Sequence, residues 1–329
     1  MKRRDFITLV GGAAVAWPIP AHAQQGDRVR RVGVLMGLAE DDPETKARVA
    51  KLRQELEKLG WLEGRNIRID VRFGASSPDL FRVLAKELVA SQPDVLLAHS
   101  TPVAAALQRE TRTIPIVFVN VSDPIGEGFI TSLARPGGNL TGVLHYEAGI
   151  IGKWLAMLKE IAPRTARVAF VTNPKTSGYD YFLGAAKTAA QLLAIELIPT
   201  HVANAADIER AIESFARVPN GGLMVPPDTT IITHRAVVIA LAARHRLPAV
   251  YPFRLYVAAG GLMSYGTHQV EMFGQTASYV DRILRGANPA ELPVQAPTKY
   301  ETILNLKTAK ALGLEIPATL LVRADEVIE

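Results

Sequence analysis

Arg31-Val32-Gly33-Val34-Leu35-Met36-Gly37 is a short apolar run, and the pattern of the next forty residues decides the fold. From Pro43 to Leu59 the residues Val49, Leu52, Leu56 and Leu59 recur at helical spacing, and Gly60 supplies a stop. Asn66 to Phe73 then reads as a second strand. A strand, helix, strand unit of this kind builds parallel sheets covered by helices.

The same alternation continues outward. Ser77-Pro78-Asp79 caps a helix carrying Leu80, Leu84 and Leu88, Asp94 to Ala98 is a third strand, and a helix at Thr101 to Thr111 leads to a strand at Pro115 to Val119. After the turn-rich Arg135-Pro136-Gly137-Gly138-Asn139 the pattern restarts with a helix near Ala148 to Ile161. Strands are expected at Arg167 to Val171, Ile195 to Thr200, Gly222 to Val225, Pro248 to Tyr251 and Leu262 to Tyr265. Helices at Gly178 to Ala194, Ile208 to Ala216 and Thr229 to Arg246 lie between them, and His268 to Arg285 precedes a proline-spaced tail. The expected fold class is therefore α/β: two Rossmann-like lobes with parallel sheets, joined near Gly142 to Tyr146 and Leu262 to Gly266, with a cleft between them.

Upstream of this alternation, Lys2, Arg3 and Arg4 precede an apolar run from Phe6 to Trp17 that is too short to span a bilayer. Pro18 and Pro20 break the run ahead of Ala21-His22-Ala23, so an export signal cleaved after Ala23 is expected. Arg3-Arg4-Asp5-Phe6-Ile7 resembles a twin-arginine signal, with Lys2 and Thr8 departing from the usual pattern; general secretion is the alternative. The chain has 329 residues, 48% of them hydrophobic, and a net charge of +5, part of which leaves with the signal. The remaining charges are interspersed, which argues against nucleic acid as a partner. The absence of Cys excludes disulfides, thiolate metal sites, a cysteine nucleophile and a lipidated N-terminal cysteine, hence a direct membrane anchor of that kind. The expected location is the periplasm.

In sheets of this kind ligands meet the carboxyl ends of strands, where helix N-termini present free N–H groups. The candidate residues there are Ser100, Thr101, Ser122, Asp123, Asn173, Asp228, Tyr251 and Tyr265. Ser100 and Thr101 suit a carboxylate, Asp123 and Asp228 an ammonium, and the tyrosines an aromatic ring. Each has a structural alternative: helix caps for Ser100, Thr101 and Asp228, turns for Asp123 and Asn173, and interdomain packing for the tyrosines. His99 and His145 either reach the cleft or pack, and no histidine spacing suits a metal. Nucleotide, hydrolase and zinc-protease motifs are missing, so no cofactor and no enzymatic activity are expected.

Several longer stretches carry a resemblance. Ser122-Asp123-Pro124, Leu133 to Gly142, Ala243 to Ala249, Ala259 to Gly266 and the tail from Tyr279 through Leu306 to Gly313 and Arg323 to Glu326 resemble the ABC transporter substrate-binding protein family. The resemblance implies a type I periplasmic binding protein fold with a third crossing around Val294 to Lys299. The lobes it implies are 27–145 with about 266–295, and 146–263 with about 296–329. It further implies a monomer that traps a small-molecule solute, such as an aromatic or other apolar amino acid, and delivers it to an inner-membrane ABC permease. A periplasmic sensory binding protein or an exported enzyme is the alternative reading.

Overall fold

Apolar runs buried on both faces become central strands, and the runs with helical spacing cover them. The computed structural model describes residues 28–147, 149–176 and 178–329. The expected export signal lies outside them. In the first lobe β1 (Arg30–Met36), β2 (Ile67–Phe73), β3 (Val95–His99), β4 (Ile116–Val121) and β5 (Leu140–Leu144) alternate with α1 (Pro43–Lys58), α2 (Pro78–Ala90) and α3 (Thr101–Glu110). In the second, α4 (Ile150–Ile161) leads to β6 (Arg167–Thr172), β7 (Glu196–His201), β8 (Gly221–Met224), β9 (Ala249–Tyr251) and β10 (Met263–Thr267). Between them run α5 (Tyr179–Leu192), α6 (Ala205–Phe215), α7 (Thr229–Thr233), α8 (Arg235–Arg244) and α9 (Arg254–Ala258). Helix α10 (Gln269–Leu284) returns to the first lobe, and β11 (Tyr300–Asn305), α11 (Leu306–Leu312), α12 (Ala318–Arg323) and β12 (Glu326–Ile328) complete the second.

The two sheets share one plan. The first has the order β2-β1-β3-β4-β5, and the second repeats it as β7-β6-β8-β9-β10 before adding β11 and β12. On one face of the first sheet Val34, Met36, Leu52, Leu56, Phe273 and Val280 pack α1 and α10 against the strands. Leu35, Phe81, Leu96, Ala104 and Phe118 form the other face with α2 and α3. A core around Trp154, Phe170 and Phe182 serves the second lobe. Each such Val, Leu, Met or Phe side chain, fully buried, stabilises the fold by about 1.5–3 kcal/mol.

Three elements differ from the sequence reading. Leu140–Leu144, expected as a connection, is an edge strand paired with β4, and a Cβ on Gly142 (φ 151°) would lie 2.0 Å from the Phe118 carbonyl oxygen. The single helix expected from Thr229 to Arg246 is two, α7 and α8, meeting at His234 after the β-branched run Thr229 to Thr233, which has low helix propensity. The proline-spaced tail supplies β11, antiparallel to β10, so the second sheet is not wholly parallel.

The chain crosses between the sheets three times. The first crossing follows β5 and the second lies at His268, between β10 and α10. At the third, Gln295 donates to Gly142 O and accepts from Leu144 N–H in the first lobe, after which the chain enters β11 in the second.

Candidate functional site

The carboxyl ends of β1, β3 and β4 face those of β6, β8 and β9 across the cleft, where this strand order reverses direction. A cavity of about 30 Å³ lies there, lined from the first lobe by Arg48, His99, Ser100, Thr101, Asn120 and Ser122. His145, on the first crossing, and Thr176, Pro227, Asp228, Thr229, Ile232 and Phe253 complete it. Polar contacts join the lobes directly. Arg235 Nη1 lies 2.8 Å from Asp42 Oδ2, and Ser76 Oγ donates to Thr229 O at 2.9 Å.

Ser100 ends β3 and precedes α3 at φ 88°, ψ 156°, a backbone region that only glycine occupies without strain. In that geometry its side chain makes no capping bond, and its buried hydroxyl has no partner among the described residues. Thr101 Oγ1 is engaged, accepting the Ser122 N–H at 3.1 Å and tying β3 to β4. Asn120 Oδ1 and Thr229 Oγ1 are buried without partners as well.

Asp228 behaves differently. It caps α7 by accepting the N–H groups of Thr230 and Ile231 at 2.7 and 3.2 Å. The same carboxylate accepts the hydroxyls of Thr172 and Thr176, each at 2.8 Å, and the Asn173 N–H. Five donors therefore occupy about four lone-pair sites. Burial pushes the carboxyl above its ordinary range while the Asn173 N–H and the threonine hydroxyls oppose that shift. An ammonium partner was expected here, but both oxygens are already occupied, so the cap reading describes Asp228.

The remaining expected site residues lie off the cavity. Asp123, at φ 45°, accepts the Gly126 N–H at 2.9 Å and is a turn residue. Asn173 accepts Lys175 N–H and donates to Thr230 Oγ1, organising the loop after β6. Tyr251 is buried in the second lobe, stacked on Tyr256 at 4.8 Å. Tyr265 stacks on Tyr300 at 5.4 Å, with Lys153 Nζ 3.6 Å from its ring centroid. The aromatic residue that does line the cavity is Phe253, which stacks on His145 at 5.4 Å.

Arg48 and the two histidines complete the wall. Arg48, fully buried on α1, went unnoticed in the sequence, although its register with Leu52 and Leu56 places it on the buried stripe. His99 Nδ1 accepts the Gly37 N–H at 3.1 Å, and its Nε2 faces Arg48 Nη1 at 3.3 Å. Burial, with Arg48 adding, holds His99 and His145 well below the ordinary imidazole value. Among the described residues no cluster of His, Asp or Glu suits a metal ion, and no helix is long and apolar enough to cross a membrane.

Known proteins are similar to this chain in sequence and fold. A family model described as ABC transporter substrate binding protein matches residues 32–328. A tyrosine-binding protein of Clostridioides difficile strain R20291 is 26% identical over 260 residues, 79% of this chain and 74% of that protein. A conserved domain protein from Vibrio cholerae O1 biovar El Tor superposes with a TM-score of 0.84 at 29% identity, covering 91% of this chain and 100% of its own. A domain from Streptococcus pneumonia in complex with L-Trp gives the same TM-score at 24% identity, covering 91% of this chain and 99% of its own.

Proposed function

The chain belongs to the ABC transporter substrate-binding protein family, with the two-lobed fold of type I periplasmic binding proteins, and on that premise we propose that it serves an ABC importer in the periplasm, trapping an amino acid with an apolar or aromatic side chain between its lobes. It is a binding protein and not an enzyme. The observation that carries the ligand class is Ser100: a buried, unpartnered hydroxyl at the N-terminus of α3, on the wall of the cleft, suits a carboxylate. Asn120 Oδ1 and Thr229 Oγ1 are free acceptors for an ammonium, in place of Asp123 and Asp228. Pro102, Ile232 and Phe253 give an apolar wall for the side chain. The C. difficile relative, named as tyrosine-binding, supports an aromatic member of the class.

The cavity of about 30 Å³ is well below the ~300 Å³ at which ligand pockets begin, so the lobes must separate for the ligand to enter and then close over it. Its partner is an inner-membrane permease that receives the monomer with its cargo. Calorimetry of the purified protein against the twenty amino acids tests the reading, with tyrosine or tryptophan expected to bind. Binding by no amino acid overturns the ligand class. Protein recovered from the periplasm should begin at Gln24 by intact mass; a mass that retains residues 1–23 contradicts cleavage after Ala23, and absence of the protein from the periplasm contradicts export.

A further inference from the structure

Arg48 carries a full positive charge on a residue with no exposed surface, and the protein does little to balance it. Its Nε and Nη2 have no hydrogen-bond partner. The nearest carboxylate, Glu44, stands 3.8 Å from Nη2, beyond hydrogen-bond reach, and is itself one-third exposed. Among the described residues, the one contact of Arg48 at hydrogen-bond distance is Nη1 with His99 Nε2, and His99 is also approached at Nδ1 by the Gly37 N–H.

A neutral imidazole has one acceptor nitrogen, whereas Gly37 N–H and the guanidinium can only donate. One of the two donors therefore faces another N–H, whichever tautomer His99 adopts. At most one of the five N–H groups of Arg48 is accepted by the protein. A buried guanidinium whose nearest carboxylate is 3.8 Å away and whose N–H groups go largely unaccepted is costly, and that cost is relieved by a ligand that brings an anion. Ser100 Oγ lines the same cavity, buried and without a partner.

We propose that Arg48 is the anion receptor of this cleft, taking the carboxylate of the ligand through its free N–H groups while Ser100 and the N-terminus of α3 hold the same carboxylate from β3. The inference rests on the amino-acid reading for the size of the ligand, while its demand for an acidic group comes from Arg48. The site thereby selects for the acid function: an aryl-alkyl acid without an amine fits its charge, and an aryl-alkyl amine without the acid does not.

Two measurements on the full chain test this. In the ligand-free protein, Arg48→Met keeps an unbranched apolar side chain and removes the buried charge, so Tm should be equal or higher. A structural role through Glu44 and His99 predicts a lower Tm. Calorimetry then compares L-tyrosine, 3-(4-hydroxyphenyl)propionate and tyramine. Wild type should bind the two acids, with tyramine at least about 30-fold weaker. Arg48→Met should lose about 30-fold or more for the acids and little for tyramine. Arg48→Lys, which keeps the charge without the planar fork, should fall between them. Unchanged acid affinity in Arg48→Met, or a lowered Tm, overturns the assignment. If wild type binds none of the three probes, the tyrosine-like ligand class fails, and the Tm comparison alone decides for or against Arg48.

Discussion

Ser100 and Asp228 hold the same place in the two lobes. Each comes after the third strand of its sheet's shared order, β3 or β8, and each is the N-cap of the helix that comes next. Asp228 sits in extended backbone and takes five hydrogen bonds, whereas Ser100 sits in a glycine-only region and its hydroxyl takes none. One plan, repeated, has thus been finished locally in the second lobe and left open in the first. The first lobe also holds Arg48 and Asn120, both with buried polar atoms that lack partners. The ligand's polar contacts should therefore be made chiefly with the first lobe, and the second should act as a preformed cover.

The largest effect expected from this contrast falls on stability. Asp228→Asn places an NH₂ group against donors that now share a carboxylate, so it should destabilise the protein by about 3 kcal/mol. Urea denaturation reads this directly, and a loss below about 1 kcal/mol would show that the five-donor network is not what fixes the second lobe. As a helix cap alone Asp228 would tolerate the change, since Asn caps about as well as Asp. Thr172, Asn173 and Thr176 come from a loop more than fifty residues away, and nothing in local pattern announces their convergence.

That case marks where the sequence was readable. The alternation from β1 through α3 is legible because β1 and β3 are apolar runs, β2 alternates apolar with charged residues, and every helix has an apolar stripe with a clear start. Ser77 before Pro78 caps the helix that this pair suggested, and Asp42 caps the one read from the spacing of Val49, Leu52 and Leu56. Strand β5 escaped because a glycine interrupts its short run, and β11 because its pairing partner, β10, arrives across a helix and a proline-rich stretch. Among site residues, those that a strand end places in the cleft, Ser100, Thr101, Ser122 and Asp228, could be found from position alone. Tyr251 ends β9, but Tyr265 falls in the middle of β10, and the rings of both lie in aromatic stacks within the second lobe. Arg48 was findable, since a charge on the Leu52 and Leu56 stripe of an otherwise amphipathic helix has to be explained.

Acid sharpens the same comparison through His99 in the first lobe and His145 on the crossing. Both are held below the ordinary value by burial, so the unfolded chain takes up protons near pH 6.5 that the folded chain refuses. Their contribution to stability is complete above about pH 6.5 and is lost as pH falls from there toward the folded values. The expected slope in the onset region is about 1.4 kcal/mol per pH unit for each histidine. His99→Gln with His145→Gln should flatten the profile between pH 6.5 and 5; an unchanged slope would assign the acid sensitivity elsewhere.

The smallest effect concerns the latch between lobes. Arg235 and Asp42 form a partly buried ion pair that joins α8 to the start of α1. Such a pair contributes about 1 kcal/mol to closure, so Arg235→Gln should weaken ligand binding by roughly fivefold. Small-angle scattering on that variant should show a more extended average form, and a profile identical to wild type would remove the pair from the closing contacts.

The most direct test of the open first lobe is Ser100→Gly, measured twice on the same preparation. Glycine relieves the backbone at φ 88° and deletes the unpartnered hydroxyl, so urea denaturation should find the ligand-free protein more stable by about 1 kcal/mol. Calorimetry with L-tyrosine should find binding weakened about tenfold or more. A variant that is less stable and binds as wild type would mean that Ser100 serves the fold, as Asp228 does, and would contradict the account.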